Sequence, residues 1–160
     1  MILAIDPGEH PGYAVVSPAA GEAVAVLACG SALTAIPTNL WMQVTRVVVE
    51  GQDFNRIVRG PTGGRRVSST SIGTLSFVAG VQAAAAARSC CLSQIERVPV
   101  RDWKDAHWRG GGSMPKAVFV NRLRRKYGPI AEVISDDVVE AIGLAEACGS
   151  FGVVGRVFTV

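Results

Sequence analysis

A chain of 160 residues argues for one domain; at this size folding buries roughly 70% of the unfolded surface, so the core needs no disulfide or metal staple. With 49% hydrophobic and 18% charged residues it is no disordered tail. The longest apolar run, Phe77 to Ala87, is interrupted by Gln82 and too short for a bilayer, so no membrane partner is expected.

The chain opens Met-Ile-Leu-Ala-Ile-Asp, with a carboxylate inside the apolar run and no basic stretch before it, which is not a signal peptide. A soluble cytoplasmic protein is expected, in the host cytoplasm if virus-encoded. Ile2 to Ile5 is a strand stopped by an Asp-Pro-Gly turn, and Gly12 to Ser17 is close enough to return antiparallel as a hairpin. Glu22 to Cys29 predicts a third strand and Pro37 to Gln43 a short helix. Arg46 to Glu50, with three consecutive valines, predicts a strand buried on both faces.

Residues 55–68 are rich in Gly, Arg and Ser without an apolar period and predict an exposed loop. From Ser71 to Arg88 the pattern is helical and small, with five consecutive alanines, which predicts close packing on two sides. Ile95 to Val98 is a strand and Trp103 to Trp108 a helical turn before three glycines. Pro115 starts a helix that runs to Lys126 and stops at Gly128-Pro129. Ser135 or Asp136 caps a last helix to about Cys148. Hairpin strands followed by strands alternating with helices predict an α/β domain over residues 1–148 with a mixed sheet. Residues 149–160 form an apolar, β-like extension of unassigned role.

Charge is segregated along this order. Residues 1–53 carry one base and five acids, residues 54–126 fourteen bases and three acids, and residues 127–160 one base and five acids. A basic middle between acidic ends suits a polyanion-binding surface built next to a carboxylate cluster; an uneven solvated surface is the plainer reading. The four cysteines show no zinc spacing and are read as buried reduced thiols, and two histidines leave no His-built metal site.

The carboxylates carry the chemistry. Asp6 and Glu50 each follow an apolar strand, at the carboxyl end where ligands bind in open α/β sheets. Asp137 and Glu140 lie three apart on an otherwise apolar helix and share a face, an expensive position for an acid unless a cation neutralises it. Individually, Asp6 fits a turn, Asp136 and Asp137 fit a helix N-terminus, and Glu50 fits an arginine pair. One shared site accounts for all of them at once. Converging carboxylates without His or Cys describe a hard-cation site for Mg²⁺, with Mn²⁺ as substitute. Two such ions about 4 Å apart can activate a water and stabilise the leaving oxygen in phosphodiester hydrolysis.

These residues resemble the RuvC-type Holliday-junction resolvases of the ribonuclease H-like superfamily. Ile-Leu-Ala-Ile-Asp6-Pro-Gly, with Gly12-Tyr-Ala-Val-Val after it, looks like the family's first acid and following strand. Val-Val-Val-Glu50-Gly-Gln resembles its second acid, and Ser-Asp136-Asp137-Val-Val-Glu140-Ala its closing acidic helix. Val98-Pro-Val-Arg-Asp-Trp-Lys104 and Gly112-Ser-Met-Pro-Lys116 are similar to a two-lysine segment near the junction phosphates. The resemblance implies a ribonuclease H-like fold with a mixed central sheet flanked by helices. It further implies a homodimeric, Mg²⁺-dependent endonuclease of DNA recombination and repair that nicks four-way junctions symmetrically, with two ions per site.

By the same resemblance Asp6, Glu50, Asp137 and Glu140 hold the metals, with Asp136 an alternative to Asp137, and Lys104 and Lys116 contact phosphate. Either lysine, Lys104 foremost, could stabilise developing charge instead, or be a solvated surface residue. Phe54 resembles an aromatic that pries bases apart, or else anchors its loop, and Arg56, Arg59, Arg65 and Arg66 would track DNA backbone. The alanine-rich helix could serve a two-fold interface or be a buried central helix. The sequence departs from the family in a short stretch between Asp6 and Glu50, and in Glu140 where many relatives have Asp. A nuclease of RNA–DNA hybrids would use the same acids without a dimer. A non-catalytic nucleic-acid-binding module would tolerate losing one, and an actin-like kinase would need a second half for which 160 residues leave no room.

Overall fold

A computed structural model gives the arrangement for residues 1–7, 10–18, 24–51, 69–108, 114–132 and 134–159. Strands β1 (Ile2–Asp6), β2 (Gly12–Pro18), β3 (Val24–Gly30), β4 (Arg46–Gly51), β5 (Gln94–Pro99) and β6 (Arg156–Thr159) form one sheet in the order β3-β2-β1-β4-β5-β6. The hairpin β1–β2 is antiparallel, β1–β4 and β4–β5 are parallel, and the outer pairs β2–β3 and β5–β6 are antiparallel. The sheet is mixed and flanked by helices on both faces, as the resemblance implies. Six helices are described: α1 (Thr38–Trp41), α2 (Ser69–Ser89), α3 (Val100–His107), α4 (Lys116–Tyr127), α5 (Pro129–Glu132) and α6 (Asp136–Gly149).

Strand alternation divides the core in two. Ile2 and Ala4 of β1 and Val48 of β4 face a cluster built with α3, α4 and α6. Leu3, Ile5, Val47 and Val49 face the opposite cluster, with Ala79, Ala83, Ala86 and Ala87 of α2. The three valines of β4 are thus split between two cores, which is why that strand carries no polar face. Helix α6 is buried from Val138 to Cys148. Burying Ile142 and Leu144 contributes roughly 1.5–3 kcal/mol each, so α6 is anchored firmly enough to carry acids inward.

Three expectations need correction. Helix α3 begins at Val100 directly after β5, three residues earlier than the sequence pattern predicts. Trp103 and His107, four apart, are its buried residues, with Ala106 half-buried against the same core while Arg101, Asp102 and Asp105 are exposed. Among the described side chains of α2, the alanines above pack on the sheet while Gly80, Val81 and Ala85 are exposed, so within this chain the helix is packed on one side. Cys90 and Cys148 are buried and Cys29 is half-buried, but Cys91 is exposed. It takes the left-handed position, φ 55°, of the turn that closes α2.

The ends of the remaining helices follow their local chemistry. The Ser135 hydroxyl accepts the Val138 N–H and caps α6. Gly128 at φ +59° closes α4, its N–H bonded to the Arg124 carbonyl. In the C-terminal segment, β6 pairs with β5, and the Gly155 N–H donates to Glu96, itself held by Arg46 at 2.8 Å.

Candidate metal centre

Asp6 and Glu50 lie on one face of the sheet, because Asp6 continues the Ile2–Ala4 face and Glu50 continues that of Val48. Parallel pairing of Ile5 with Val49 sets the two acids one rung further on, at adjacent carboxyl ends. Helix α6 crosses the same face. Gly12, the partner of Asp6 in the hairpin, has no Cβ to collide with the Asp137 backbone, so the N-terminus of α6 can press against β2. Asp6, Asp137 and Glu140 thereby offer carboxylate oxygens that all lie within 4.8 Å of one another. Asp6 is 5% exposed and Glu140 3%.

Helices α3 and α4 bring the counter-charges. Lys104 Nζ lies 2.6 Å from Glu140 Oε1, over the Trp103 ring at 4.9 Å. Lys116 Nζ lies 2.6 Å from Glu140 Oε2 and 2.9 Å from Asp137 Oδ1. Close packing of both helices on α6 is possible because Gly143 lacks a side chain: a Cβ there would stand 2.7 Å from Leu123 and 3.0 Å from Phe119. Trp103, fully buried, donates its indole N–H to Glu50 Oε2 at 3.1 Å.

The electrostatics follow from this crowding. Burial, then the charges of Glu140 and Asp137, push the Asp6 carboxyl up to about 7 despite the two lysines. Burial and the Asp6 charge push Glu50 up to about 8, opposed by Lys104 and the Trp103 N–H. Burial alone would lower the Lys116 ammonium, but its bonds to Glu140 and Asp137 outweigh that and hold it above the ordinary lysine range. Acids that resist ionisation while crowded oxygen-to-oxygen are what a divalent cation relieves, and an all-oxygen donor set fits Mg²⁺ or Mn²⁺.

Other predicted residues fall elsewhere. Asp136 turns away from the cluster and pairs with Arg124 Nη2 at 2.8 Å, leaving Asp137 as the aspartate facing Asp6. Phe54, Arg56, Arg59, Arg65 and Arg66 lie outside the described residues. Two groups near the site escaped the sequence reading. Trp103 was quoted within a motif but given no role; its signal was a lone large apolar residue in Arg-Asp-Trp-Lys-Asp. Glu146, fully buried, pairs with Lys126 and faces His107 Nδ1 at 3.8 Å, tying the ends of α3 and α4 to α6. Its signal was an acid in the middle of Leu-Ala-Glu-Ala-Cys.

Sheet order and the helices on both faces are those of a ribonuclease H-like fold. Two solved structures share it. Thermus thermophilus RuvC in complex with a Holliday junction substrate is 17% identical, covers 96% of this chain and 97% of its own, and superposes with a TM-score of 0.63. A second Thermus thermophilus RuvC structure is 14% identical over 96% of this chain and 98% of its own, with a TM-score of 0.54. No family model matches the sequence, and no curated protein matches it.

Proposed function

We propose that this protein is a metal-dependent crossover junction endodeoxyribonuclease, cutting four-way DNA junctions by paired symmetric nicks as a homodimer. The observation that carries the reading is the convergence of Asp6, Asp137 and Glu140, with Glu50 on the adjacent strand, in a RuvC-type fold. A neighbour of that fold was solved with a Holliday junction substrate, which favours branched DNA as the ligand.

In this reading Asp6, Asp137 and Glu140, with Glu50 on the adjacent strand, would hold Mg²⁺, with Mn²⁺ as a substitute. When bound, such ions supply Lewis-acid activation of a water and neutralisation of the leaving oxygen. Asp6, held by β1, and Asp137 and Glu140, held by α6, would set where the cation is held. Trp103 orients Glu50 through its N–H, and Lys104 and Lys116 meet the non-bridging phosphate oxygens as charge develops. Arg56, Arg59, Arg65 and Arg66 add backbone contacts, which makes binding strongly salt-dependent.

The test is incubation with a labelled four-way junction, a linear duplex and an RNA–DNA hybrid, each in Mg²⁺ or EDTA. Paired nicks in the junction alone, lost in EDTA, are expected. Cutting of the hybrid instead would move the substrate to RNA–DNA, and no cutting at all would leave a binding module with structural acids. Asp6→Asn should abolish cutting and leave junction binding intact, because it removes a metal ligand and no basic residue.

A further inference from the structure

We propose that Lys116 is a built-in counter-ion that occupies the cation position in the metal-free site, and that divalent-cation loading displaces it towards the phosphate of bound DNA. The proposal rests on the metal-site reading given above.

Its basis is which oxygens the ammonium groups occupy. The two Glu140 oxygens are taken by two different lysines, Lys104 on Oε1 and Lys116 on Oε2, each at 2.6 Å. Lys116 also spans to Asp137 Oδ1 at 2.9 Å, bridging two of the three residues whose oxygens cluster within 4.8 Å. A bridging ammonium stands where a cation chelated by Asp137 and Glu140 would stand, and the two positive groups cannot share that position. Charge balance points the same way. Four ionised carboxylates are matched by two divalent ions without any lysine, so loading makes an ammonium surplus.

The two lysines differ in how readily they leave. Lys104 sits inside α3 with 29% of its side chain exposed, over the faces of Trp103 and Phe119. Lys116 is the first residue of α4 and 51% of its side chain is exposed, so its head group can swing into solvent without unpacking a core. Lys104 therefore keeps its bond to Glu140 and reaches phosphate with its remaining N–H groups, while Lys116 is exchanged. The consequence is an ordered site: Lys116 holds Asp137 and Glu140 together before the metal arrives and is free to donate to phosphate only after it.

The chain has three lysines, and the third, Lys126, is paired with Glu146 and serves as an internal control. The wild-type protein is treated with a limiting dose of an amine-acetylating reagent across a Mg²⁺ titration, and each lysine is quantified by mass spectrometry. Mg²⁺ binding is followed in parallel by calorimetry. Lys116 labelling should rise several-fold with the midpoint of the binding isotherm, while Lys126 labelling stays flat. In addition, Lys116→Gln should bind Mg²⁺ several-fold more tightly than wild type. Mg²⁺ binding with unchanged Lys116 labelling would overturn the exchange and leave the metal site standing. No Mg²⁺ binding at millimolar concentration would overturn both.

Discussion

Gly12 faces Asp6 across the β1–β2 ladder, and the Asp137 carbonyl occupies the space where a Gly12 Cβ would stand. One missing side chain thus sets the distance between the first acid on the sheet and the acids on α6. A Cβ here would meet backbone, which cannot rotate aside. Gly12→Ala should therefore cost roughly 1–3 kcal/mol in chemical denaturation, as overpacking does, and weaken Mg²⁺ binding by pushing Asp137 from Asp6. An alanine variant with wild-type stability and metal affinity would show that α6 approaches by another route.

Asp6 and Glu50 predict how the metal-free protein responds to pH. Their carboxyls are raised from near 4 to about 7 and about 8, so the folded state holds these protons more tightly than the unfolded state. Their stabilising contribution is complete below pH 4 and is lost as pH climbs through 7 and 8, with a slope of at most ~1.4 kcal/mol per pH unit for each group. In EDTA the Tm should fall between pH 5 and 8, and fall less in Asp6→Asn. Mg²⁺ should restore the loss most at the alkaline end, where the acids are ionised. A Tm that is flat with pH in EDTA would refute the crowding of these carboxylates.

Trp103 keeps Glu50 closer to its ionised form. Replacing the indole by phenyl removes the N–H that donates to Glu50 and keeps most of the packing. Trp103→Phe should cost about 2 kcal/mol and move the acid limb of the pH–rate profile to higher pH, because Glu50 loses a bond that favours its charge. A stability loss with an unmoved profile would make Trp103 a packing residue alone.

The end of α2 offers a stabilising change. Cys91 donates to the Arg88 carbonyl and Leu92 to the Ala87 carbonyl at 2.8 Å, the paired bonds of a Schellman turn, with a non-glycine residue at its left-handed position. Because Cys91 is exposed, Cys91→Gly relieves backbone strain without opening a cavity. Thermal denaturation should show a gain of roughly 0.5–1 kcal/mol, net of the glycine's greater unfolded-state entropy. A loss would mean the turn carries no strain.

Local pattern was enough for much of this protein. Apolar runs marked β1, β2 and β4, Pro115 and Gly128 bracketed α4, and Ser135 capped α6, because strand alternation and helix caps are short-range effects. Asp6, Glu50 and Glu140 were legible because each interrupts or ends an apolar run where a lone charge is costly, and Asp137 because it lies three residues before Glu140 on the same helix face. What the sequence could not give was which neighbours those acids meet. Asp136 and Asp137 are adjacent and chemically identical, and only the rotation of α6 against β2 sends one to Arg124 and the other to Asp6. The pairing of Lys104 and Lys116 with one glutamate depends on two helices from distant segments meeting at Gly143, as does the link from Trp103 to Glu50. Such contacts join residues dozens of positions apart and are fixed by packing of the folded sheet and helices, so they belong to the tertiary structure alone.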